Sequence, residues 1–226
     1  TARYLLTHRS WEVIDHVNLE LSRGTDTVAI QVKHDTEAEY SSVTISTVDV
    51  PGLFSMITGV MAANGINILG ALIYTRKNGN ALDILHVNKP IGGVIDSPSK
   101  WQKVQSDLTA VLEGRVKVAR LVRKRQKAST LTGHKKPRYP NRVEFDCDVS
   151  REHTVIDIFA HDKVGLLYRI TRTLADLGLY IHVAKISTKV DQVADTFYVK
   201  DIFGQPINSE AKREDLRKAL IECMEE

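Results

Sequence analysis

Residues 49–75 read DVPGLFSMITGVMAANGINILGALIYT, and residues 162–188 read DKVGLLYRITRTLADLGLYIHVAKIST. The second stretch follows the first by 113 positions, half the length of the 226-residue chain, and eleven positions are identical without a gap. In the first stretch the identical residues are Asp49, Gly52, Leu53, Ile57, Thr58, Ala62, Gly65, Ile68, Ala71, Ile73 and Thr75. A repeat of this kind usually marks the structural unit. The sequence therefore predicts one module in two copies.

The spacing of apolar residues predicts the same order of elements in both copies. Val43 and Ile45 alternate with polar residues, as in a half-buried strand, and Leu53 and Ile57 then recur at helical spacing. The elements predicted for the first copy are strands over 28–33 and 43–47, a turn at 49–52, a helix that Asn64-Gly65 ends, strands over 66–74 and 81–87 joined by a hairpin turn at 77–80, and a helix over 99–113. For the second copy they are strands over 143–149 and 155–160, a helix over 166–177, strands over 179–188 and 194–200, and a helix over 211–224.

These elements predict an α+β fold of two ferredoxin-like βαββαβ modules with antiparallel sheets, preceded by a short helical segment. Modules of this size bury only about 60% of their unfolded surface, so we expect the two sheets to pack side by side or face to face. The predicted divisions are a helical segment over 1–26 from the end of a preceding domain, a first module over 27–122, a basic linker over 123–142 and a second module over 143–226. Within the helical segment, an apolar stripe of Trp11, Ile14, Val17 and Leu21 is expected to dock on another surface.

The net charge of +3 is distributed unevenly. Residues 123–142 hold eight Lys or Arg residues and no Asp or Glu, which leaves 23 basic and 28 acidic residues in the rest of the chain. Gly133, Pro137 and Pro140 lie in the same stretch among Ser and Thr residues. This composition favours an exposed linker that its own charges keep extended. A contact with an acidic partner or nucleic acid is the alternative.

Composition also limits the cellular setting. No run of about 18 apolar residues occurs, so neither a membrane span nor a membrane partner is expected. Cys147 and Cys223 are too few for a disulfide framework and fit a reducing cytoplasm. The chain begins Thr1-Ala2, without an initiator Met or a secretory signal, and we expect it to have been cut from a longer protein.

The sequence offers few candidates for catalysis. Asp146-Cys147-Asp148 has the D-x-D spacing of metal-binding nucleotidyltransferase sites, but no Gly-Ser phosphate loop lies shortly upstream. The alternation of residues 143–149 instead predicts that both carboxylates face solvent on a strand. The pairs His34-Asp35 and His161-Asp162 end strands and lack the further ligands that a metal hydrolase needs. We therefore predict no catalytic residue, no metal ligand and no cofactor in this chain.

The strand–turn–helix junction at 49–53 is the best candidate for a binding site. Gly52 lets a ligand approach the backbone, and the start of the following helix accepts a carboxylate through its free N–H groups. Asp49 can take an ammonium group of the same molecule. A free α-amino acid carries both groups on one carbon. The alternative is that Asp49 caps its own helix, and spacing leaves both interpretations open.

The residues at this junction resemble the ACT domain, a small regulatory module that binds amino acids. The resemblance rests on Asp49-Val50-Pro51-Gly52-Leu53-Phe54 and Asn64-Gly65-Ile66-Asn67-Ile68, with 162–167 and 177–181 in the second copy. Together with the N-terminal helix, the basic linker and the runs at 153–156, 194–199 and 203–207, nearly the whole chain resembles the C-terminal part of bacterial P-II uridylyltransferase/uridylyl-removing enzymes.

The resemblance implies a regulatory role. In that family a nucleotidyltransferase domain uridylylates the P-II nitrogen-signalling protein with UTP and Mg²⁺, a hydrolase domain removes the uridylyl group, and the ACT pair senses glutamine. It implies that this chain is the sensor and that the catalytic domains, which would use UTP and Mg²⁺, lie outside it. The implied partners are L-glutamine, those catalytic domains and, through them, P-II.

The resemblance also implies which residues contact the ligand. They are Asp49, Gly52, Leu53 and Asn67 in the first copy and Asp162, Gly165 and Leu166 in the second. Asn67 is expected to meet the side-chain amide of glutamine, because an amide both donates and accepts hydrogen bonds. The second copy departs from the pattern, since Val164 replaces Pro51 and Tyr180 replaces Asn67.

Three other interpretations stay open at this point. The chain can be a freestanding ACT-repeat regulator that binds amino acids, or a purely structural pairing module. RNA-recognition motifs share this topology but need stacking aromatic residues on their central strands. The first copy has Ile84, Leu85 and His86 there, and the second has Phe197 and Tyr198. Nucleic acid is therefore not the expected partner.

Overall fold

The computed structural model describes residues 2–129, 140–146, 149–189 and 192–225. The helices are α1 (Ala2–Thr7), α2 (Ser10–Arg23), α3 (Leu53–Ala63), α4 (Pro98–Leu112), α5 (Val118–Ser129), α6 (Leu166–Asp176) and α7 (Glu210–Glu225). The strands are β1 (Val28–Asp35), β2 (Tyr40–Val48), β3 (Asn67–Thr75), β4 (Asn80–Asn88), β5 (Arg142–Asp146), β6 (Thr154–His161), β7 (Tyr180–Lys185), β8 (Thr188–Lys189) and β9 (Gln192–Lys200). The predicted α+β fold is confirmed. The strand predicted over 179–188 is divided between β7 and β8.

All the described strands belong to one antiparallel sheet. Its order is β1-β2-β4-β3-β7-β9-β6-β5, and the short β8 pairs with β9. The first module contributes β1 to β4 and the second contributes β5 to β9. The modules join through β3 and β7, where Ala71 lies opposite Ala184. Of the two arrangements expected from the sequence, the structure adopts the side-by-side one.

Equivalent residues of the two modules face each other. Ala71 and Ala184 are 113 positions apart, as are Thr58 in α3 and Thr171 in α6, whose hydroxyl oxygens lie 3.0 Å apart. A twofold relation between two like units produces this self-pairing of equivalent residues. At the next residue of α3, a Cβ added to Gly59 would lie 2.4 Å from Val118 Cγ2, so α3 and α5 also approach closely.

The helices cover both faces of the first module's sheet. Alternate residues of a strand point to opposite faces. Leu85 of β4 belongs to the main apolar core, which extends through both modules, whereas Leu82 and Ile84 of the same strand pack with Tyr4 of α1 in a separate cluster. The N-terminal helices thus lie opposite the layer that contains α3.

The N-terminal segment forms the predicted helix but does not bury the predicted stripe within the described chain. Helix α2 buries His16 and Leu19, while Trp11, Ile14 and Leu21 are 52%, 60% and 74% exposed. His16 accepts or donates a 2.7 Å hydrogen bond with the Tyr4 hydroxyl. The docking of the stripe on another surface stays a prediction, as do the domain boundaries at 26, 122 and 142.

The interpretation of residues 123–142 as an extended linker is wrong for its first part. Residues 123–129 continue α5, which packs against α3, and Val122 is buried. The charge run concealed this helix because its apolar contacts come from Val118, Leu121 and Val122, which lie before or at the edge of the basic stretch. Residues 130–139 lie outside the described part of the chain.

Two further findings concern the described residues. None of their helices is both long and apolar enough to span a membrane. They contain no group of three or more His, Cys, Asp or Glu side chains placed to hold a metal ion. Of the D-x-D candidate, Cys147 and Asp148 lie outside the described residues.

Candidate functional site

The turn between β2 and α3 is closed by its own backbone. Gly52 has a φ of +74°, in the left-handed region that glycine adopts at little cost. The Leu53 N–H donates to the Val50 carbonyl oxygen at 3.0 Å, and the Ser55 hydroxyl donates to the Gly52 carbonyl oxygen at 2.7 Å. The N–H groups of Phe54 and Ser55, in the first helical turn, lack intrahelical acceptors and can donate to an anion.

Asp49 does not cap α3. The N-cap residue is Gly52, and no side chain makes a capping hydrogen bond there. Instead, Asp49 Oδ2 accepts a 2.8 Å hydrogen bond from Thr75 Oγ1, while the Asp49 N–H donates to the Gly79 carbonyl oxygen at 2.9 Å. The capping interpretation of Asp49 is therefore wrong. Its carboxylate is held beside the end of β3, next to the open side of the junction.

A cavity of about 360 Å³ lies between this junction and the second module, and we call it the first cavity. It falls within the range of small-molecule sites. Its lining from the first module includes Asp49, Gly52, Leu53, Ser55, Thr75 and Asp83, and its lining from the second module includes Thr171, Ala175, Tyr180, His182, Lys200 and Asp201. A ligand here would contact both modules at once.

Asp83 of β4 lines the first cavity and was not predicted from the sequence as a site residue. It is 1% exposed, and within the described chain neither of its carboxylate oxygens has a hydrogen-bond partner. Burial, followed by the nearby charge of Asp49, raises the pKa of Asp83 to about 8. An acidic residue inside the apolar run of residues 81–85 was the available signal, because strand alternation places it on the buried face.

A second cavity, of about 510 Å³, lies at the equivalent junction of the second module, as the twofold relation between the modules requires. Gly165 takes the left-handed conformation with a φ of +84°, and the Leu166 N–H donates to the Lys163 carbonyl oxygen at 2.9 Å. The lining includes Asp162, Gly165, Leu166 and Asp195 from the second module and Gly65, Asn67 and Ile68 from the first. Both junctions thus face a strand of the other module.

The buried carboxyl of the second cavity has a partner. Asp195 is the counterpart of Asp83, and its Oδ1 accepts a 3.2 Å hydrogen bond from the Ser187 N–H. Burial still raises the pKa of Asp195 to about 8. Asp83 and Asp195 therefore share their position and desolvation but differ in hydrogen bonding.

Helix α5 contacts the second junction. The Gln126 Nε2 group donates a 2.9 Å hydrogen bond to the Val164 carbonyl oxygen. A Cβ added to Gly165 would lie 2.6 Å from Val122 Cγ1, and Arg125 lines the second cavity. The basic end of α5 is thus part of the second cavity rather than remote from both cavities.

The structure separates Asn67 from Asp49. Asn67 lines the second cavity and donates a 3.1 Å hydrogen bond to Asn88 Oδ1, while its counterpart Tyr180 lines the first cavity. The side-by-side arrangement causes this exchange, because the strand after each module's first helix reaches the junction of the other module. Asp49, Gly52 and Leu53 thus belong to the first cavity, and Asn67, Asp162, Gly165 and Leu166 to the second.

The comparisons agree with the predicted resemblance. The family model for an ACR9-like, ACT-like domain matches residues 142–226. The chain is 39% identical over 220 residues to a bifunctional uridylyltransferase/uridylyl-removing enzyme of Rhodospirillum rubrum. The aligned region covers 96% of this chain and 23% of that protein. A relative of the same name from Azospirillum brasilense is 37% identical over 198 residues, covering 87% of this chain and 21% of that protein.

The chain thus spans less than a quarter of the length of these curated relatives. Among solved structures, aspartate kinase from Synechocystis is similar with a TM-score of 0.40 and 12% identity, over 80% of this chain and 26% of that chain.

Proposed function

We propose that this chain is the amino-acid-sensing region of a uridylyltransferase/uridylyl-removing enzyme and that L-glutamine binds in the first cavity. The observation that carries the proposal is the position of this cavity between the two modules, with acidic side chains and a helix start in its lining. A ligand held by both modules can change how they pack, which is what a sensor requires.

The first cavity suits both poles of an α-amino acid. The start of α3 and Lys200 supply positive charge for a carboxylate, and Asp49 supplies negative charge for an ammonium group. Tyr180 and His182 bring polar atoms that can meet a side-chain amide. Charge-assisted hydrogen bonds of about 1.5–3 kcal/mol each suffice for the millimolar affinity, about −4 kcal/mol, of a metabolite sensor after ordering costs.

The second cavity is less suited to the same ligand. Its buried carboxyl already accepts a hydrogen bond from Ser187, and Gln126 of α5 is bonded to its turn. We assign it a weaker affinity for glutamine and a role in transmitting the arrangement of the modules to α5. The proposed partners of the full-length enzyme are its own catalytic domains, which would use UTP and Mg²⁺, and the P-II protein.

Isothermal titration calorimetry against L-glutamine tests the proposal, with L-glutamate and L-asparagine as controls for side-chain recognition. We expect saturable heat with glutamine and its loss in Asp49→Ala. Asp162→Ala is the matched control, because it changes the equivalent residue of the second junction and should leave most of the heat. Absence of saturable heat with all three amino acids would overturn the proposal.

An RNA-binding function has less support. Phe197, one of the two aromatic residues that it requires, is fully buried in the core, and Ile84 is covered by the N-terminal helices. Stacking on bases needs exposed aromatic faces.

A further inference from the structure

We propose that the carboxylate of Asp83, at the buried end of the first cavity, is the direct partner of the ligand's α-ammonium group. The inference rests on the proposed function and deepens it, since it names the residue that selects for a free amino group. Asp49 then supplies a second negative charge at the same pole.

The position of Asp83 supports this role. It lies on β4 opposite Ile73 of β3 and Ile45 of β2, so its carboxyl is surrounded by apolar strands. Both carboxylate oxygens are buried without a hydrogen-bond partner in the described chain, yet the residue lines the cavity. Buried polar groups are rarely left unpaired, and those that are call for an explanation. A cation delivered by a ligand would complete the pairing.

The second module provides the comparison. Asp195 is equally desolvated, but the Ser187 N–H already donates to its Oδ1. The repeat has thus kept a buried carboxyl in both central strands, and within the described residues only the one in the first module has both oxygens buried without a hydrogen bond. A carboxyl retained only for packing would not need this difference.

Proton release should accompany binding. Burial raises the pKa of Asp83 to about 8, so near neutral pH the empty cavity holds the protonated acid. An ammonium group stabilises the ionised form, and the proton leaves to the buffer. The other titratable groups lining the cavity are Asp49, Tyr180, His182, Lys200 and Asp201, so the assignment of the proton to Asp83 requires a variant.

The test is calorimetry of the whole chain with L-glutamine and with glutaramate, which is glutamine without its α-amino group. Asp83→Asn should weaken glutamine binding roughly tenfold to a hundredfold, the effect of losing one charge-assisted hydrogen bond, and change glutaramate binding little. The matched control, Asp195→Asn, should leave glutamine affinity unchanged. The asparagine is nearly isosteric and carries no charge to desolvate, and an unchanged melting temperature shows that the variant folds.

The same titrations in phosphate and in Tris at pH 7 measure the released proton. We expect roughly one proton per glutamine for the unaltered chain and none for Asp83→Asn. If glutamine binds Asp83→Asn with undiminished affinity and unchanged proton release, the inference is overturned while the proposed function stands. If neither amino acid nor analogue binds the unaltered chain, both are overturned.

Discussion

Thr58 Oγ1 and Thr171 Oγ1 lie 3.0 Å apart, and the two residues hold the same position in the two repeats. Each hydroxyl also lies within hydrogen-bond distance of a carbonyl of its own helix, Thr58 of Ser55 and Thr171 of Leu167. Since each hydroxyl has one hydrogen, one threonine donates across the contact and the other donates to its own carbonyl. The contact therefore joins α3 to α6 on the twofold relation that also sets Ala71 opposite Ala184. The geometry of both cavities follows from this relation.

The threonine pair should contribute measurably to stability. Thr58→Val removes one buried hydroxyl and should lower the free energy of unfolding by about 0.5–1.5 kcal/mol. Adding Thr171→Val should cost less than the sum of the two single changes, because the partners are removed together. Urea unfolding measures each value. Thr109→Val is the control, since that exposed hydroxyl bonds only within α4; strictly additive costs for Thr58 and Thr171 would contradict the contact.

Gly59 should resist the most conservative helix substitution. Replacing glycine by alanine within a helix ordinarily stabilises by about 1 kcal/mol. Here the added Cβ would lie 2.4 Å from Val118 Cγ2 and 3.0 Å from Tyr168 Cδ2, so we expect a net loss of about 1–3 kcal/mol from overpacking. Combining Gly59→Ala with Val118→Ala should recover part of this loss in thermal or urea unfolding. A stabilising single substitution would show that α3 and α5 do not meet at this point.

Much of the fold could be predicted from the sequence because each element carries its own periodicity. The repeat from Asp49 to Thr75 predicted the module, and turn residues such as Asn64-Gly65 predicted where the helix ends. Helix α5 was missed because four of the five residues from Arg123 to Lys127 are basic, whereas its packing depends on Val118 and Val122. The basic composition favoured a linker, although the short apolar face of these residues favours a helix.

The site was less predictable, because it depends on how the modules pair. Asp49 and Gly52 were found from the turn alone. Asn67 was grouped with them by the family resemblance, but the pairing of β3 with β7 places it in the other cavity. Identifying Asp83 as a site residue required knowing that it is buried and that its carboxylate has no hydrogen-bond partner in the described chain. The sequence of one strand shows neither.

The second junction should be more sensitive to an added methyl group than the first. Gly52→Ala and Gly165→Ala both force a left-handed alanine, at a cost of about 1–2 kcal/mol. At Gly165 the new Cβ would also lie 2.6 Å from Val122, whereas at Gly52 its nearest neighbour is Ser55 Oγ at 3.5 Å.

We therefore expect Gly165→Ala to be the more destabilising change and to loosen α5. Limited trypsin digestion should then cleave within residues 123–127 faster in Gly165→Ala than in Gly52→Ala. Equal cleavage rates and equal stabilities would argue against the packing of α5 on this junction.

Stability without ligand should fall as the pH rises. The ordinary pKa of Asp83 is 3.8, and burial raises the pKa to about 8 in the folded protein. Such a group contributes its full stability below the unfolded pKa and loses it as the pH rises through the folded value, by at most about 1.4 kcal/mol per pH unit. Urea unfolding should show a lower free energy of unfolding at pH 8.5 than at pH 5 for the unaltered chain, and a smaller decrease for Asp83→Asn. If the free energy of unfolding fell by the same amount in both proteins between pH 5 and pH 8.5, the buried neutral carboxyl would be contradicted.

The most direct test of the central claim is a crystal structure of the chain grown with L-glutamine. We expect density for one amino acid in the first cavity, with its carboxylate at the first turn of α3 and its ammonium beside Asp49 and Asp83. Glutamine located outside both cavities, or a first cavity left empty at saturating concentration, would contradict it.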